Sequence, residues 1–288
     1  MNSTTKNIFT VLGITYGLTA ITDFVVYKFF INQSENVNAL LSIRMFIPAI
    51  AVIIFHYLCG KCLSLGVVGL TFTRSRRAYV FAIIIPIAVF AISLGISALL
   101  GIEVRTIQEV YEYANQKVKQ PISMVPSGFL MVLIITGVLT GITFNALFAL
   151  GEEILWRGLI PTLLGWRYKF FYATFLSWLF WFLWHLPLIV LLQYNYPLEA
   201  PHMLVLLASA LVTLGMTLTM MSFRYATNSI IPTALLHGMT ISMGLVADYF
   251  INNTLWTGAY GIITGIVWTL VSVIIYLIFA YKSDYNTN

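Results

Sequence analysis

The sequence predicts an all-α, polytopic membrane helical bundle with about eight transmembrane helices. Of its 288 residues, 60% are hydrophobic and only 9% are charged, and the mean hydropathy is +0.91. A soluble domain carries about 25% charged residues, so this chain could not cover a globular surface with polar groups. Three runs exceed the roughly 20 residues that span a bilayer and contain no Asp, Glu, Lys or Arg. These runs are 120–151, 170–198 and 249–281.

The apolar segments place the individual helices. We predict them at 8–31, 40–60, 79–100, 128–151, 171–193, 203–223, 229–250 and 257–281. The first two contain the charged residues Asp23, Lys28 and Arg44. We interpret these charges as forming a buried ion pair between the two helices. The polar interval 101–127 predicts an outer loop with one short interfacial helix.

The distribution of basic residues predicts the orientation, because cytoplasmic loops are enriched in Lys and Arg. With the N-terminus inside, ten basic residues fall on the inner side and three on the outer side. The inner ones are Lys6, Lys61, Arg74, Arg76, Arg77, Arg157, Arg167, Lys169, Arg224 and Lys282, and the outer ones are Arg105, Lys117 and Lys119. We therefore expect a multi-pass cell-membrane protein with both termini in the cytoplasm.

Composition also bears on partners and processing. The net charge of +5 follows from this topology, so we infer the lipid bilayer as partner and no nucleic acid. The first apolar stretch is too long for a signal-peptide core and precedes no A-x-A-like site, so we expect it to remain as an anchor. Cys59 and Cys62 form a single C-x-x-C with no second pair, which we interpret as neither a redox pair nor half of a metal site.

Two glutamates and an arginine continue directly from the first uncharged run. Residues 152–158 read Glu-Glu-Ile-Leu-Trp-Arg-Gly. On a helix, Glu153 and Arg157 lie four residues apart on one face, in the order that suits an ion pair. Glu152 points about 100° away, so one carboxylate can be structural while the other faces a cavity. The alternative interpretation is an ordinary ion pair at the inner end of a helix.

Two histidines lie within other predicted helices. His185 follows the aromatic stretch 181–184, and His237 lies about two turns after a helix start marked by Ser229 and Pro232. Each alone is typical of an interhelical hydrogen-bond donor. Together with Glu152 they can activate a water molecule and stabilise the oxyanion that forms when a carbonyl is attacked. They could equally form a His₂Glu metal site, although the spacing is not H-E-x-x-H.

These segments resemble the CPBP intramembrane proteases. The resemblance lies in Glu152-Glu153-x-x-x-Arg157, in an aromatic residue four positions before His185, and in His237 after an R-x-x-x-x-S-I-x-P approach. This family includes the CAAX prenyl protease 2 type, lysostaphin-resistance-A-like proteins and bacteriocin-processing or immunity proteins. It implies a catalytic core over 125–245, preceded by helices and an outer loop in 1–124 and followed by a last helix and short cytoplasmic tail in 246–288, all within one integral membrane domain.

The resemblance implies an endopeptidase with a cavity open to the cytoplasm. Its substrate would be a peptide or membrane protein near the cytoplasmic leaflet. Glu152 would be the general base, with His185 beside it, and His237 would stabilise the oxyanion. Glu153 and Arg157 would support the site. This glutamate mechanism requires no cofactor, although some members are described as metalloproteases, and a divalent metal on Glu152, His185 and His237 stays open.

The chain departs from the family pattern at two positions. Trp181 stands where the family usually has Phe, a change that keeps an aromatic wall. Ile241 stands where the family often has Asn or Asp, four residues after the last histidine. Losing one oxyanion donor costs about 10²–10³-fold in rate, so this departure predicts a slow, altered or inactive member. Thr240, near the same face, is the candidate for a weak replacement donor.

Two other functions fit parts of the sequence. A non-catalytic membrane protein of the same fold, acting in immunity or as a scaffold, is favoured by Ile241. A transporter or channel could use the buried Glu and His residues as a proton relay. The absence of any repeat relating the two halves of the chain argues against the transporter.

Overall fold

The computed structural model describes residues 3–30, 40–60, 64–118, 120–167, 169–191, 196–197 and 199–281. Helices make up nearly all of the regular structure in these ranges, and the one pairing of extended backbone is an isolated bridge between Val104 and Ile251. The predicted all-α helical bundle is confirmed. Four positions used above, Lys61, Cys62, Lys119 and Lys282, lie outside the described residues.

The helices follow the predicted order closely. They are α1 (Ser3–Val25), α2 (Ile47–Leu58), α3 (Leu65–Val68), α4 (Arg76–Leu99), α5 (Ile107–Lys117), α6 (Pro126–Thr140), α7 (Ala146–Glu153), α8 (Ile160–Leu163), α9 (Phe170–Leu191), α10 (His202–Thr227), α11 (Ile231–Asp248) and α12 (Ile262–Tyr276). Turns of π-helix extend α1 over Val26–Phe30 and α12 over Leu277–Tyr281.

Within the described residues, seven helices are long and apolar enough to cross a membrane. They correspond to seven of the eight predicted spans. The eighth, α11, is helical over Ile231–Asp248 but is not among the seven. Its sequence is interrupted by His237 and by hydroxyl residues because this helix lies at the centre of the bundle and carries polar groups inward.

The outward surface of the bundle is strongly apolar. In the 38-residue helix Pro126–Leu163, only 11% of the most apolar 18-residue stretch is buried inside the bundle. Ile135, Leu139 and Phe144 are at least half exposed there. A protein in water rarely exposes such a continuous apolar surface, so this face is suited to lipid.

The helix Pro126–Leu163, hereafter the long helix, is longer than the predicted segment 128–151 and is not uniformly α-helical. Turns of π-helix at Gly141–Asn145 and Ile154–Leu159 separate α6, α7 and α8. Such π turns often occur at functional sites, because they change which side chains share a face. Here they lie on either side of the glutamate pair at the end of α7.

The short helix predicted in the interval 101–127 is present as α5. Thr106 and Glu109 form a reciprocal capping box at its start. The backbone and side chain of Thr106 donate hydrogen bonds to the Glu109 carboxylate, which hold its pKa below the ordinary value. Arg105, just before the cap, donates hydrogen bonds to the carbonyls of Tyr249 and Ile251, so the segment is tied to the end of α11.

The basic residues require one correction. Arg157 and Arg224, counted among the inner loop cations, are both buried in the bundle. Ten minus these two leaves eight inner cations against three outer ones. The bias that predicts cytoplasmic termini therefore persists, and the orientation stays a prediction.

A buried ion pair joins the first two spans, as interpreted from the sequence. Arg44 Nε donates to Asp23 Oδ1 at 2.7 Å and Nη2 donates to Asp23 Oδ2 at 3.1 Å. Arg44 Nη2 also donates to the carbonyl of Trp184 at 2.8 Å, and its guanidinium lies 3.8 Å over the Trp184 ring. The Trp184 indole donates to Thr19 on α1. The N-terminal helices thus hold α9 at the residue next to His185.

We expect Asp23→Ala to lower the free energy of unfolding by about 3–5 kcal/mol, because it leaves Arg44 charged and buried without its partner. Unfolding of the purified protein in mixed micelles would measure this. The control is the double variant Asp23→Leu/Arg44→Met, which removes both charges and should recover most of the loss. Equal stability of the single variant and the wild type would show that the pair contributes little.

Candidate active site

A cavity of about 370 Å³ lies inside the bundle, between the long helix, α9, α10 and α11. Its wall includes the three residues predicted to be catalytic, Glu152, His185 and His237. Part of the same cavity is lined by residues from the segment before α2, which are Leu41, Ser42, Arg44 and Met45. Residues that are far apart in the sequence therefore line one cavity.

Glu152 is almost fully buried and is held by a tryptophan. Its Oε2 accepts a hydrogen bond from Trp181 Nε1 at 2.7 Å, and its Oε1 has no hydrogen-bond partner among the described residues. Since Glu152 lines the cavity, Oε1 is available to bind a water molecule or substrate there. Glu152 is also separate from the ion pair made by its neighbour, as the helical geometry predicted.

Glu153 bridges a cation and a histidine. Its Oε1 accepts from Arg157 Nη1 at 3.2 Å and from His237 Nδ1 at 2.9 Å, and both Glu153 and Arg157 have no exposed surface. Arg157 also donates to Thr217 on α10 at 2.9 Å and lies 4.0 Å over the Trp181 ring. The simple alternative, an ion pair at an exposed helix end, does not describe this arrangement, because the pair is buried and oriented toward His237.

His185 has a defined tautomer. Its Nδ1 is 3.0 Å from the carbonyl oxygen of Trp181, and a carbonyl can only accept, so Nδ1 carries the proton. The neutral ring then presents the lone pair of Nε2. Because His185 is half-buried and lines the cavity, this nitrogen can accept a hydrogen bond from a molecule inside it.

His237 is held through the same ring nitrogen as His185. Its Nδ1 donates to the Glu153 carboxylate, and His237 is only 3% exposed. A proton on Nε2 as well would make the ring an imidazolium. The charges then balance, since Glu152 and Glu153 face Arg157 and His237. Buried charges persist in a membrane protein when they are paired in this way.

Trp181 connects all of these groups, and the sequence did not reveal this role. Its ring lies edge-to-face against His185 and His237, with centroid distances of 5.1 and 5.4 Å. Its indole N–H holds Glu152 and its carbonyl orients His185. The exchange of Phe for Trp, predicted to keep an aromatic wall, therefore also adds a hydrogen bond to the glutamate that Phe cannot make.

Thr240, the predicted replacement oxyanion donor, already donates its hydroxyl proton within its own helix. The hydroxyl of Thr240 donates its single proton to the carbonyl of Leu236 at 2.8 Å. It has no second proton for an oxyanion while this bond is present. Ile241 lines the cavity with an apolar side chain. Neither residue supplies the donor that the family often has at position 241.

Among the described residues, no three His, Cys, Asp or Glu side chains are grouped as they would be around an ion. Glu152, His185 and His237 nevertheless line the same cavity.

Residues 126–243 match the family model described as Type II CAAX prenyl endopeptidase Rce1-like. This range contains the long helix, α9, α10 and the part of α11 that carries His237. A comparison with curated proteins gives no significant match.

Proposed function

We propose that this chain, whose residues 126–243 match the Type II CAAX prenyl endopeptidase Rce1-like model, is an intramembrane CAAX-type protease and that it hydrolyses peptide bonds with a water molecule activated by Glu152. The observation that carries the proposal is the single cavity lined by Glu152, His185 and His237, with one oxygen of Glu152 left unpaired among the described residues. Glutamate is the base, and each histidine has a separate role.

The first step is attack by water. One proton of the water bonds to Glu152 Oε1 and the other to the lone pair of His185 Nε2, so an oxygen lone pair is directed at the carbonyl carbon of the substrate. As the new C–O bond forms, Glu152 takes the first proton. General-base catalysis of this kind contributes about 10²–10⁴-fold to a rate.

The second step is collapse of the tetrahedral intermediate. His237, protonated on both nitrogens, donates from Nε2 to the oxyanion while Glu153 accepts from its Nδ1. Glu152 then gives its proton to the leaving nitrogen, and the C–N bond breaks. The immediate products are a carboxylic acid, which keeps the second proton of the water, and an amine; transfer of that proton gives a carboxylate and an ammonium group, and Glu152 is again ionised. Glu153 and Arg157 thus support the site without taking part in bond making.

The proposed chemistry assigns no step to a metal or other cofactor. The two Nδ1 atoms are bonded to Trp181 and Glu153, which leaves both Nε2 atoms facing the cavity. In a metalloprotease these atoms would bind the ion with Glu152. The glutamic type would be supported if a chelator leaves the cleavage rate unchanged and if metal analysis finds no metal in the purified protein.

The substrate we propose is a peptide or membrane protein presented near the cytoplasmic leaflet. The distribution of basic residues predicts that both termini lie in the cytoplasm. Maturation of proteins or of bacteriocin-type peptides fits such a site. Whether the substrate carries a prenyl group is a separate question, to be answered by the products themselves.

The test compares membrane peptides from cells carrying the wild type and Glu152→Ala at matched expression, by mass spectrometry. Cleavage products that occur only with the wild type would support proteolysis and identify the substrate. Identical peptide profiles, with a deletion phenotype that both forms rescue, would contradict the proposal.

The second candidate is a non-catalytic immunity or scaffold protein of the same fold. Ile241 favours it, because the side chain that often supplies an oxyanion donor is apolar here. Rescue of a deletion phenotype by Glu152→Ala as well as by the wild type would select this function.

Trp181 gives a prediction about positioning. We expect Trp181→Phe to lower kcat by about 10–100-fold with little change in KM, because hydrogen bonds to charged groups contribute about 1.5–3 kcal/mol and Glu152 would lose one. The assay is cleavage of the identified substrate by purified protein. Trp178→Phe is the matched control, since Trp178 Nε1 donates to the neutral hydroxyl of Thr213 at 3.1 Å from the same helix. Equal effects of the two variants would show that the Trp181 bond has no special role.

A further inference from the structure

A carboxamide lies in the wall of the cavity at the level of His237. Asn145 is the last residue of the first π turn in the long helix, and it lines the cavity with Glu152, seven residues further on. Seven residues of α-helix make about two turns, so the two side chains share one face. Nothing in the sequence singles out Asn145, because an isolated asparagine belongs to no motif.

The backbones confirm that Asn145 and His237 are close. A Cβ atom on Gly238, the residue after His237, would lie only 2.6 Å from the carbonyl carbon of Asn145. Only glycine fits where the two backbones come this close. The long helix and α11 are therefore in direct contact at this level. The Asn145 side chain therefore enters the cavity beside His237 and beside Ile241, one turn further along α11.

A chain of hydroxyl groups fixes the orientation of the amide. Thr140 donates its proton to the backbone carbonyl of Thr136 or Gly137 of its own helix. The Ser242 hydroxyl, 3.2 Å from Thr140 Oγ1, must therefore donate to Thr140. Ser242 can then only accept at its other contact, so the group that faces it at 2.7 Å is the NH₂ of Asn145.

The amide consequently has one proton to spare. Nδ2 carries two protons, and Ser242 takes one of them. The second has no acceptor among the described residues. An N–H held in place by a hydrogen-bonded chain, on a residue that lines the same cavity as Glu152, is the kind of donor that stabilises an oxyanion.

We propose that Asn145 is the second oxyanion donor of the cleavage site, in the place that Ile241 leaves without one. This inference rests on the proposed function. His237 donates from one side of the tetrahedral oxygen and Asn145 from the long helix on the other. The donor would then come from the neighbouring helix, which touches α11 at Gly238, and both Asn145 and Ile241 line the cavity.

The test measures kcat and KM of the full-length protein on a peptide that contains the cleavage site found in the membrane-peptide comparison. We expect Asn145→Ala to lower kcat by about 10²–10³-fold with KM unchanged, since the bond is made only in the transition state. Asn145→Asp, which keeps the shape of the side chain but loses the donor, should lose as much. Adding Ile241→Asn to Asn145→Ala should raise kcat at least about tenfold above that of Asn145→Ala alone, by returning a donor to the site.

Ser242→Ala is the matched control. It removes the amide's acceptor but keeps the amide, so its rate should stay within about tenfold of the wild type. A rate of Asn145→Asp equal to that of the wild type, or no restoration by Ile241→Asn, would show that Asn145 only packs helices and would overturn the inference. If Glu152→Ala is inactive and Asn145→Ala is fully active, this inference alone fails. If the wild type and Glu152→Ala release the same peptides, the proposed function fails and this inference with it.

Discussion

Glu152→Gln lowers kcat by about 10²–10⁴-fold if Glu152 is the general base, and leaves KM and the amount of folded protein close to those of the wild type. Glutamine has nearly the same size, and its side-chain oxygen can still accept the hydrogen bond that Trp181 donates at 2.7 Å. What it cannot do is take a proton from water. The measurement is single-turnover cleavage of the identified substrate by purified protein, together with thermal unfolding.

The neighbouring position provides the contrast. Glu153→Gln should lower the free energy of unfolding by about 3–5 kcal/mol, because it leaves the fully buried Arg157 without its carboxylate. One variant thus loses rate with its stability intact, and the other loses stability. Full proteolytic activity of Glu152→Gln would contradict the mechanism, whatever the stability of Glu153→Gln.

His185→Ala should lower kcat by a comparable factor, about 10²–10⁴-fold, because the attacking water loses the acceptor that orients it. The ring nitrogen that faces the cavity is removed, while Trp181 keeps its bond to Glu152. Insertion and folding should be retained, since His185 is half-buried and its one hydrogen bond within the described part of the chain is to the carbonyl of Trp181, four residues earlier. The same single-turnover assay measures the loss.

His56→Ala is the control for this prediction. His56 lies in the second span and bonds the carbonyl of Val52, four residues earlier, at 2.9 Å, which is the same local contact as that of His185 at 3.0 Å. It does not line the cavity. Equal activities of the two alanine variants would show that His185 is an ordinary helix histidine, as a lone histidine in a bundle usually is.

The sequence predicted the architecture because lipid imposes simple rules. A span needs roughly 20 apolar residues with few charges, so helices such as α4 and α9 begin and end within a few residues of their predicted limits. Ionisable groups within a span are rare enough to be functional candidates, and Glu152, His185 and His237 were among the few such residues. The pairs Glu153–Arg157 and Asp23–Arg44 followed from helical spacing and from the cost of burying a lone charge.

The tertiary structure decided how these groups face one another. Trp181 and Asn145 reach the site through hydrogen bonds to residues of other helices, 29 and 97 positions away, and no local pattern encodes such contacts. The π turns on both sides of α7 and the approach at Gly238 set which side chains enter the cavity. Apolar composition placed the helices in the membrane. Their close packing determined which nitrogen of each histidine is free, and that the hydroxyl of Thr240 is not.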